Sequence, residues 1–227
     1  MTAVKSDEPN PAVIFETLNA YQRTGALKAA IELRLFSALH AGAMDADSLA
    51  AAVEGVPRGV RILCDSLVVL GLLAKSDEQY SLTPTSAMFL DEHSPRYLGS
   101  TAKFVASNET MNLFQNVADC VRKGGTLLPD GGSTKVDYEP WVEFARTMGP
   151  MMKPAANFIA GLVAERFASR PLRVLDVAAS HGLFGLAIAD LLPQASIVAQ
   201  DFYAVLAVTR NNVHNCGMLD RWDFLSG

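Results

Sequence analysis

Apolar positions in the first third of the chain repeat at helical spacing. Leu27, Ile31, Leu35 and Leu39 recur every four residues within the stretch 12–39. Side chains three to four positions apart share one face of a helix, so this stretch predicts a helix with one buried face. Gly42 ends the pattern.

Two further helices and a hairpin are predicted next. Asp47 or Ser48 is expected to cap a short helix, and Pro57 suits the first turn of the helix that follows. The stretch 71–84 (GLLAKSDEQYSLTP) has two short apolar runs around a polar turn, which predicts two strands. Helix, short helix, helix and hairpin is an order typical of a winged helix-turn-helix.

Winged helices often bind DNA, but the charge of this region argues against it. Residues 1–100 carry 8 Lys/Arg against 12 Asp/Glu, a net charge of −4. The helix that would read bases offers Arg58 and Arg61 and then mostly apolar residues. Because a DNA reader needs cations on phosphates and polar groups on bases, we predict no nucleic-acid partner. The apolar surface of 12–39 and 58–74 instead favours a homodimer interface.

Composition places the chain among ordinary folded proteins. Half of its 227 residues are hydrophobic, 19% are charged and the net charge is −5, so it can bury a core. Residues 1–11 do not form a signal peptide, and the apolar stretch 60–74 is too short and too charged to span a bilayer. We therefore predict a cytoplasmic protein without a membrane partner. Neither a disulfide framework nor a metal site is indicated by the three distant cysteines, Cys64, Cys120 and Cys216.

The middle of the chain is predicted to be helical with a loop in it. Residues 97–123 have a helical pattern, and a Gly- and Pro-rich loop follows, with a turn at 129–131. Residues 141–167 are predicted to be mostly helical, with interruptions at Pro150 and Pro154. Their many Met and Phe residues fit a core, although Met also lines apolar pockets well.

The stretch 174–201, VLDVAASHGLFGLAIADLLPQASIVAQD, has the pattern of a βαβ unit. We predict a buried strand at 173–177, a helix at 182–193 and a second buried strand at 195–201. Parallel strands joined by a helix place the turn after the first strand at the helix N-terminus. Ligands of such sheets bind at the carboxyl ends of the strands.

The turn lacks the pattern of a dinucleotide or nucleoside triphosphate site. The glycines of G-x-G-x-x-G would fall at Ala178, Ser180 and Leu183, and no G-K-[ST] sequence is present. A nucleoside ligand without phosphates fits better. Asp176 ends the first strand, and small residues follow it. Asp201 ends the second strand, where a carboxylate can accept hydrogen bonds from both hydroxyls of a ribose.

On these residues the chain resembles the S-adenosylmethionine-dependent O-methyltransferases of the plant caffeate and the bacterial hydroxyindole and polyketide type. In the family's D-x-G-x-G-x-G motif, Asp176 and Gly182 match, while Ala178 and Ser180 replace glycines. The stretches LKAAIELRLFSAL and LVVLGLLAKSDEQYSLTPTS resemble its dimerisation domain. FARTM, at 144–148, resembles a stretch that lines its pocket, and the similarity is collinear from about residue 12 to the end.

The resemblance implies a fold and a set of domains. The expected fold is a mainly α N-terminal winged-helix dimerisation domain followed by an incomplete α/β Rossmann-like methyltransferase domain. We expect the dimerisation domain at 12–95, a helical linker with the substrate-pocket region at 96–170, and the first part of the cofactor domain at 171–227. Because 221–227 reads as only the third strand of a longer sheet, we expect a fragment or a shortened gene product.

The resemblance also implies a reaction and a site. The expected activity is methyl transfer from S-adenosyl-L-methionine to a hydroxyl of a small aromatic or polyketide-like molecule. The alternative is an inactive dimerising or ligand-binding protein. The expected cofactor residues are Asp176, Ala178, Ser180, Gly182, Asp201, Phe202 and Met148, with Phe202 against the adenine. The expected substrate pocket is lined by Phe144, Met151, Met152 and Trp141.

No catalytic base is assigned from the sequence. The resemblance places the family's general base beyond Gly227. His181, in the turn, and His214, in the predicted helix after the second strand, are interpreted as capping or surface histidines.

Overall fold

A computed structural model describes residues 9–129, 132–136, 138–167 and 170–227. The chain divides into two compact units, one up to Gly99 and one from Ser100 onwards. Among the residues in these ranges, no helix combines the length and the apolar character needed to cross a bilayer.

The first unit is helical and carries one hairpin. Its elements are α1 (Ala12–Leu18), α2 (Ala20–Glu32), α3 (Leu35–Ala38), α4 (Ala46–Ala52), α5 (Pro57–Val69), β1 (Leu73–Ser76), β2 (Gln79–Leu82) and α6 (Pro84–Phe89). Leu35 and Leu39 are buried, and Leu27 and Ile31 pack against the same core, which confirms the predicted apolar face. The prediction of one helix over 12–39 was wrong, because the helix breaks at Asn19 and again at Arg34, which has φ of 53°. Pro57 lies in the first turn of α5, as predicted.

The cap of α4 lies earlier than predicted. Asp45 is the N-cap residue, and its Oδ1 accepts a hydrogen bond from the backbone N–H of Ser48 at 2.7 Å. Asp47 and Ser48 both lie inside the helix, so the prediction that one of them caps it was wrong. The extended backbone of Asp45 allows its side chain to reach back to the first turn, which a residue already inside the helix cannot do.

The hairpin turns through two residues only. β1 and β2 pair antiparallel, and Ser76 lies opposite Gln79. The two residues between them, Asp77 and Glu78, have φ of 49° and 62°. A two-residue turn with both φ positive matches the twist of the strands, which explains why two non-glycine residues adopt this backbone.

The hairpin is anchored to α5 by a buried tyrosine. The hydroxyl of Tyr80 donates a hydrogen bond to Asp65 at 2.7 Å, and the Nζ of Lys75 lies 3.1 Å from the same carboxylate. These two hydrogen bonds lower the pKa of Asp65. The helical core and the hairpin are thereby joined within the first unit.

The second unit begins with short helices and ends with a sheet. Its elements are α7 (Ala102–Val105), α8 (Asn108–Leu113), α9 (Val117–Lys123), α10 (Pro140–Thr147), α11 (Gly149–Phe167), β3 (Arg173–Val177), α12 (Leu183–Leu191), β4 (Ser196–Asp201), α13 (Tyr203–Asn215) and β5 (Trp222–Ser226). Short 3-10 helices lie at Gly99–Thr101, Gly132–Thr134 and Leu219–Arg221. The turn predicted at 129–131 lies in part outside the described residues, since Asp130 and Gly131 are not among them.

Proline does not interrupt the long helix where we predicted. Pro154 lies inside α11, and the break falls at Met148, so that Pro150 lies in the first turn of α11. The loss of one backbone hydrogen bond at Pro154 is outweighed by tertiary packing. Ala156 and Ala160 on this helix are buried.

The three strands of the second unit form one parallel sheet in the order β3-β4-β5. Strand, helix and strand therefore follow each other as predicted for 173–201. Alternation and register place Asp176, Ile197 and Trp222 on the face that α12 covers. The other face is not covered at β3, where Leu175 and Val177 are 59% and 65% exposed. The prediction that β3 is a buried strand was therefore wrong for this face.

Candidate functional site

The turn after β3 has an unusual backbone. Ala178, Ser180 and Gly182 have φ of 55°, 52° and 74°, so every second residue is left-handed. For Ala and Ser, this conformation costs about 1–2 kcal/mol each relative to the right-handed region. A strained backbone persists only where surrounding groups hold it, and it is often found at binding sites.

Side chains of α13 hold this turn in place. The Oγ1 of Thr209 donates to the carbonyl of Ser180 at 2.6 Å, and the Nδ2 of Asn212 donates to the carbonyl of His181 at 2.9 Å. Thr209 is fully buried. Both residues were missed from the sequence. No signal in the sequence could have found them, because 209–212 are four consecutive polar residues.

Asp176 points back at the helix that follows the turn. Its Oδ2 accepts a hydrogen bond from the backbone N–H of Gly185 at 3.2 Å. Burial raises the pKa of Asp176 to about 6, the Gly185 hydrogen bond counteracts this, and the charge of Asp201 adds to it. Through this hydrogen bond, Asp176 connects the end of β3 to the first turn of α12.

Asp201 lies at the carboxyl end of β4, beside the turn. Its Oδ2 accepts from the backbone N–H of Ser180 at 2.8 Å, and its Oδ1 accepts from the N–H of Phe202 at 2.7 Å. The residue is half-buried, and a carboxylate has about four lone-pair positions, so further hydrogen bonds remain possible. Phe202 is half-buried at the N-cap position of α13.

Two glycines allow close packing at the start of α12, one against α13 and one against the sheet. A Cβ on Gly182 would lie 2.7 Å from the Cγ2 of Thr209. A Cβ on Gly185 would lie 2.7 Å from Trp222 and 2.9 Å from Ile197. Gly185 was not among the predicted site residues, although its place three residues after Gly182 is the sequence signal of a closely packed helix start.

The two histidines of this unit occupy different environments. His181 is buried, and its Nδ1 accepts a hydrogen bond from the backbone N–H of Leu183 at 3.2 Å, which caps the start of α12. Burial lowers the pKa of His181, so its imidazole is neutral near pH 7. His214 is exposed in the last turn of α13.

The two aromatic residues predicted for the pocket, Trp141 and Phe144, belong to a row of four aromatic rings. The ring centroids of Phe104 and Phe144 are 5.2 Å apart, those of Phe144 and Trp141 are 5.7 Å apart, and Tyr138 continues the row. The indole N–H of Trp141 donates to the carbonyl of Ser133 at 2.6 Å. A cavity of about 420 Å³ lies between α10 and the start of α13, and neither Trp141 nor Phe144 lines it.

The methionines predicted for the site differ in exposure. Met148 is buried, while Met151 is 49% exposed and Met152 is half-buried. A Cβ on Gly149, the residue after Met148, would lie 3.3 Å from the Cδ1 of Leu183. The break between α10 and α11 therefore lies at the N-terminal end of α12, beside the turn.

One polar group of the turn has no partner. Within the described part of the chain, the Oγ of Ser180 and the Nε1 of Trp222 are buried without a hydrogen-bond partner. A buried hydroxyl left in this state costs about 1–3 kcal/mol. The unpartnered hydroxyl lies between two left-handed residues and next to Asp201, which marks the turn as a place that a polar ligand can complete.

Comparison with known proteins relates the chain to O-methyltransferases. The family model of the O-methyltransferase dimerisation domain matches residues 15–92. A 3-hydroxy-5-methyl-1-naphthoate 3-O-methyltransferase of Streptomyces sahachiroi is 35% identical over 94% of this chain and 61% of its own length. The chain is thus similar to O-methyltransferases, and residues 15–92 of its first unit match their dimerisation domain.

Solved structures agree with this relationship. A crystal structure from Nostoc punctiforme, assigned as an O-methyltransferase, is 43% identical, with a TM-score of 0.91, and covers 97% of this chain and 66% of that one. Human N-acetylserotonin methyltransferase in complex with SAM is 21% identical, with a TM-score of 0.74 over 99% of this chain and 68% of that one, and shows the shared fold alone. The chain spans between 36% and 61% of the curated relatives it matches.

Proposed function

We propose that the protein to which this chain corresponds is an S-adenosylmethionine-dependent O-methyltransferase. The observation that carries the proposal is the left-handed turn from Ala178 to Gly182, with the Asp201 carboxylate beside it at the carboxyl end of a parallel sheet. The relatives, O-methyltransferases of aromatic compounds, support it over the alternative of an inactive binding protein.

The residues present fit the cofactor. Ala178 is exposed, the Oγ of Ser180 is buried without a partner, and Asp201 retains lone pairs for two hydroxyls of a ribose. When bound, S-adenosyl-L-methionine supplies a methyl group on a positively charged sulfur. We propose Gly182, Phe202 and Met148 as further contacts of the cofactor, with Phe202 against the adenine.

The chain's own contribution to methyl transfer is binding and orientation. A fixed turn, held by Thr209 and Asn212, keeps the cofactor site in one geometry, and positioning of reactants supplies much of the rate in such reactions. We propose Phe144, Trp141, Met151 and Met152 as apolar contacts for a small hydroxylated aromatic or polyketide-like substrate. We assign no general base within this chain.

The binding of S-adenosylhomocysteine to the purified chain tests the cofactor site. Asp201→Ala should weaken binding by about 1–3 kcal/mol in isothermal titration calorimetry, because the proposed hydrogen bonds to the ribose are lost together with the one that Asp201 accepts from Ser180. Asp223→Ala removes an exposed carboxylate from β5 and is the control. Equal affinity of the Asp201→Ala variant and the parent would refute the assignment.

We also propose that the first unit is a winged-helix domain that forms a homodimer. We propose further that the sheet belongs to a Rossmann-like domain. The compartment that we propose for the protein is the cytoplasm. The match to the O-methyltransferase dimerisation domain and the apolar surface of α1 support the dimer. The large apolar residues on or next to α1 are all at least 58% exposed: Val13, Ile14, Phe15, Leu18 and Tyr21. The three free thiols fit a reducing compartment.

Light scattering of the purified chain tests the dimer. The double variant Phe15→Glu, Leu18→Glu should shift the mass from two chains to one, because charges replace apolar contacts at the interface. Thr17→Glu adds a charge to the same helix at a polar position and should leave the dimer intact. A dimeric double variant would exclude α1 from the interface.

A further inference from the structure

The first unit contains a compact cluster of two histidines and one aspartate. His40 follows α3, while Asp91 and His93 follow α6. The Nδ1 of His40 lies 2.5 Å from Oδ2 of Asp91, and the Nδ1 of His93 lies 2.9 Å from Oδ1 of the same carboxylate. The two imidazole rings are stacked, with their centroids 4.3 Å apart. Both imidazoles thus form a hydrogen bond with the Asp91 carboxylate. The cluster is far in sequence from the turn after β3.

We propose that His40, Asp91 and His93 bind one divalent transition-metal ion, with Zn²⁺ as the best-suited ion. Two imidazole nitrogens and one carboxylate oxygen are the donors that Zn²⁺ and Co²⁺ prefer. The three donor atoms lie within 4.8 Å of one another. In a tetrahedral site with bonds of about 2.0 Å, ligand atoms are separated by about 3.3 Å. Small rotations of the side chains therefore suffice to enclose an ion.

The carboxylate is held in place by its surroundings. The side chain of Asp91 is 5% exposed, and its Oδ1 also accepts the backbone N–H of His93 at 3.0 Å. The neighbouring Glu92 is fixed from the other side, because its backbone N–H donates to Ser37 and its carboxylate pairs with Arg34 at 2.6 Å. The orientation of the Asp91 carboxylate is therefore fixed before a metal ion binds.

The two imidazoles leave the cluster open to solvent. The side chains of His40 and His93 are 55% and 54% exposed. An ion can therefore enter from the surface, and water can complete its coordination. The negative charge of Asp91 favours a dication, and the guanidinium of Arg34 is engaged by Glu92.

Metal binding here would join parts of the first unit that are distant in sequence. His40 and Asp91 are 51 positions apart. An ion shared by them would tie the end of α3 to the end of α6. Such a cross-link stabilises the folded state, because the unfolded chain does not hold these ligands together.

Cobalt titration of a tag-free, EDTA-treated full chain tests the site, with Co²⁺ alone as the probe. We expect one Co²⁺ per chain, with visible d–d absorption, and at least tenfold weaker binding in His40→Ala and in His93→Ala. The chain has four histidines, and His214→Ala, which removes an exposed imidazole from α13, is the matched control and should bind as the parent does.

A second measurement guards against loss of fold in the variants. Zn²⁺ should raise the Tm of the parent and of His214→Ala, and should leave the Tm of His40→Ala unchanged, while circular dichroism shows that all three are folded. Absence of Co²⁺ binding by the parent would overturn the proposal and leave a hydrogen-bonded His-Asp-His cluster. Parent-like affinity in both histidine variants, or equal loss in His214→Ala, would overturn it as well.

Discussion

Two turns of this molecule place non-glycine residues in left-handed backbone, and they are held differently. In the hairpin, Asp77 and Glu78 are flanked by paired strands, and Lys75 lies 3.1 Å from Glu78. All of this support comes from within a few residues. In the turn after β3, Ala178 and Ser180 depend on groups more than 20 positions further along the chain.

The difference separates strain that local geometry requires from strain that distant groups maintain. A hairpin turn needs left-handed residues because the twist of its strands requires them. The turn after β3 connects a strand to a helix and has no such requirement. Its backbone is held by Asp201, Thr209 and Asn212, and it encloses an unpartnered hydroxyl. Strain that distant groups maintain is the stronger indication of binding.

The largest loss of stability is expected at Gly182, where α13 packs most closely against the turn. Gly182→Ala should lower the free energy of unfolding by about 3 kcal/mol, because the new Cβ meets Thr209 at 2.7 Å and φ is 74°. Gly217→Ala is the control, since Gly217 has φ of 67° and nothing within 4 Å of a Cβ. It should lose only about 1 kcal/mol. Urea unfolding followed by tryptophan fluorescence measures both, and equal losses would show that contact with α13 does not matter.

Asp176 gives the turn after β3 a pH dependence. Burial raises its pKa from 3.8 to about 6, so the folded state favours the protonated carboxyl. This contribution to stability is complete below about pH 4 and is lost as pH rises through about 6, at a cost of about 2 kcal/mol in a partly exposed site.

Asp176→Asn stays uncharged and keeps an acceptor for the N–H of Gly185. Between pH 4 and pH 7 its stability in urea unfolding should therefore rise relative to that of the parent, because it lacks the loss expected from ionisation of Asp176. Asp223→Asn removes an exposed carboxylate and controls for the loss of one negative charge. Parallel curves for parent and Asp176→Asn would contradict the expected role of burial.

A smaller effect is expected from one of the two α13 side chains. Asn212→Ala removes the hydrogen bond to the carbonyl of His181 and should cost about 1 kcal/mol of stability. Asn211→Ala, at the exposed neighbouring position, should change stability little. If the two variants lose the same amount, α13 does not hold the turn through this bond.

The smallest effect tests the backbone strain directly in both turns. Ala178→Gly and Glu78→Gly should each stabilise the chain by about 0.5 kcal/mol, because glycine adopts positive φ without a penalty. The gain at Glu78 is reduced by loss of its ion pair with Lys75. Ala207→Gly, on the exposed face of α13, should instead destabilise by about 1 kcal/mol. Destabilisation by Ala178→Gly would show that the turn is not strained.

Much of the fold followed from local pattern. Four-residue spacing identified the buried face at Leu35 and Leu39, and β-branched runs bounded by turn residues identified β3 and β4 within a residue. The errors came where tertiary packing decides. Pro154 remains inside α11 because that helix packs on a neighbour, and Leu175 is exposed because one sheet face is uncovered.

The candidate site was predictable in part. Asp176, Gly182 and Asp201 were visible as strand ends and a small-residue turn, and the structure brings them together. Thr209 and Asn212 were not visible, since polar residues in a helix have no sign of which carbonyl they face. The His40 cluster was missed for a similar reason, because its members are 51 positions apart.

The sequence by itself determined the order of helices and strands, the position of the turn and the residue types available to a ligand. Those features depend on period and on the backbone preferences of neighbouring residues, which act within a few positions. Only the tertiary structure decided that Ala178 and Ser180 adopt left-handed backbone and that Gly185 must have no side chain. Both depend on contacts from α13, β4 and β5, and no local pattern specifies contacts between segments that are distant along the chain.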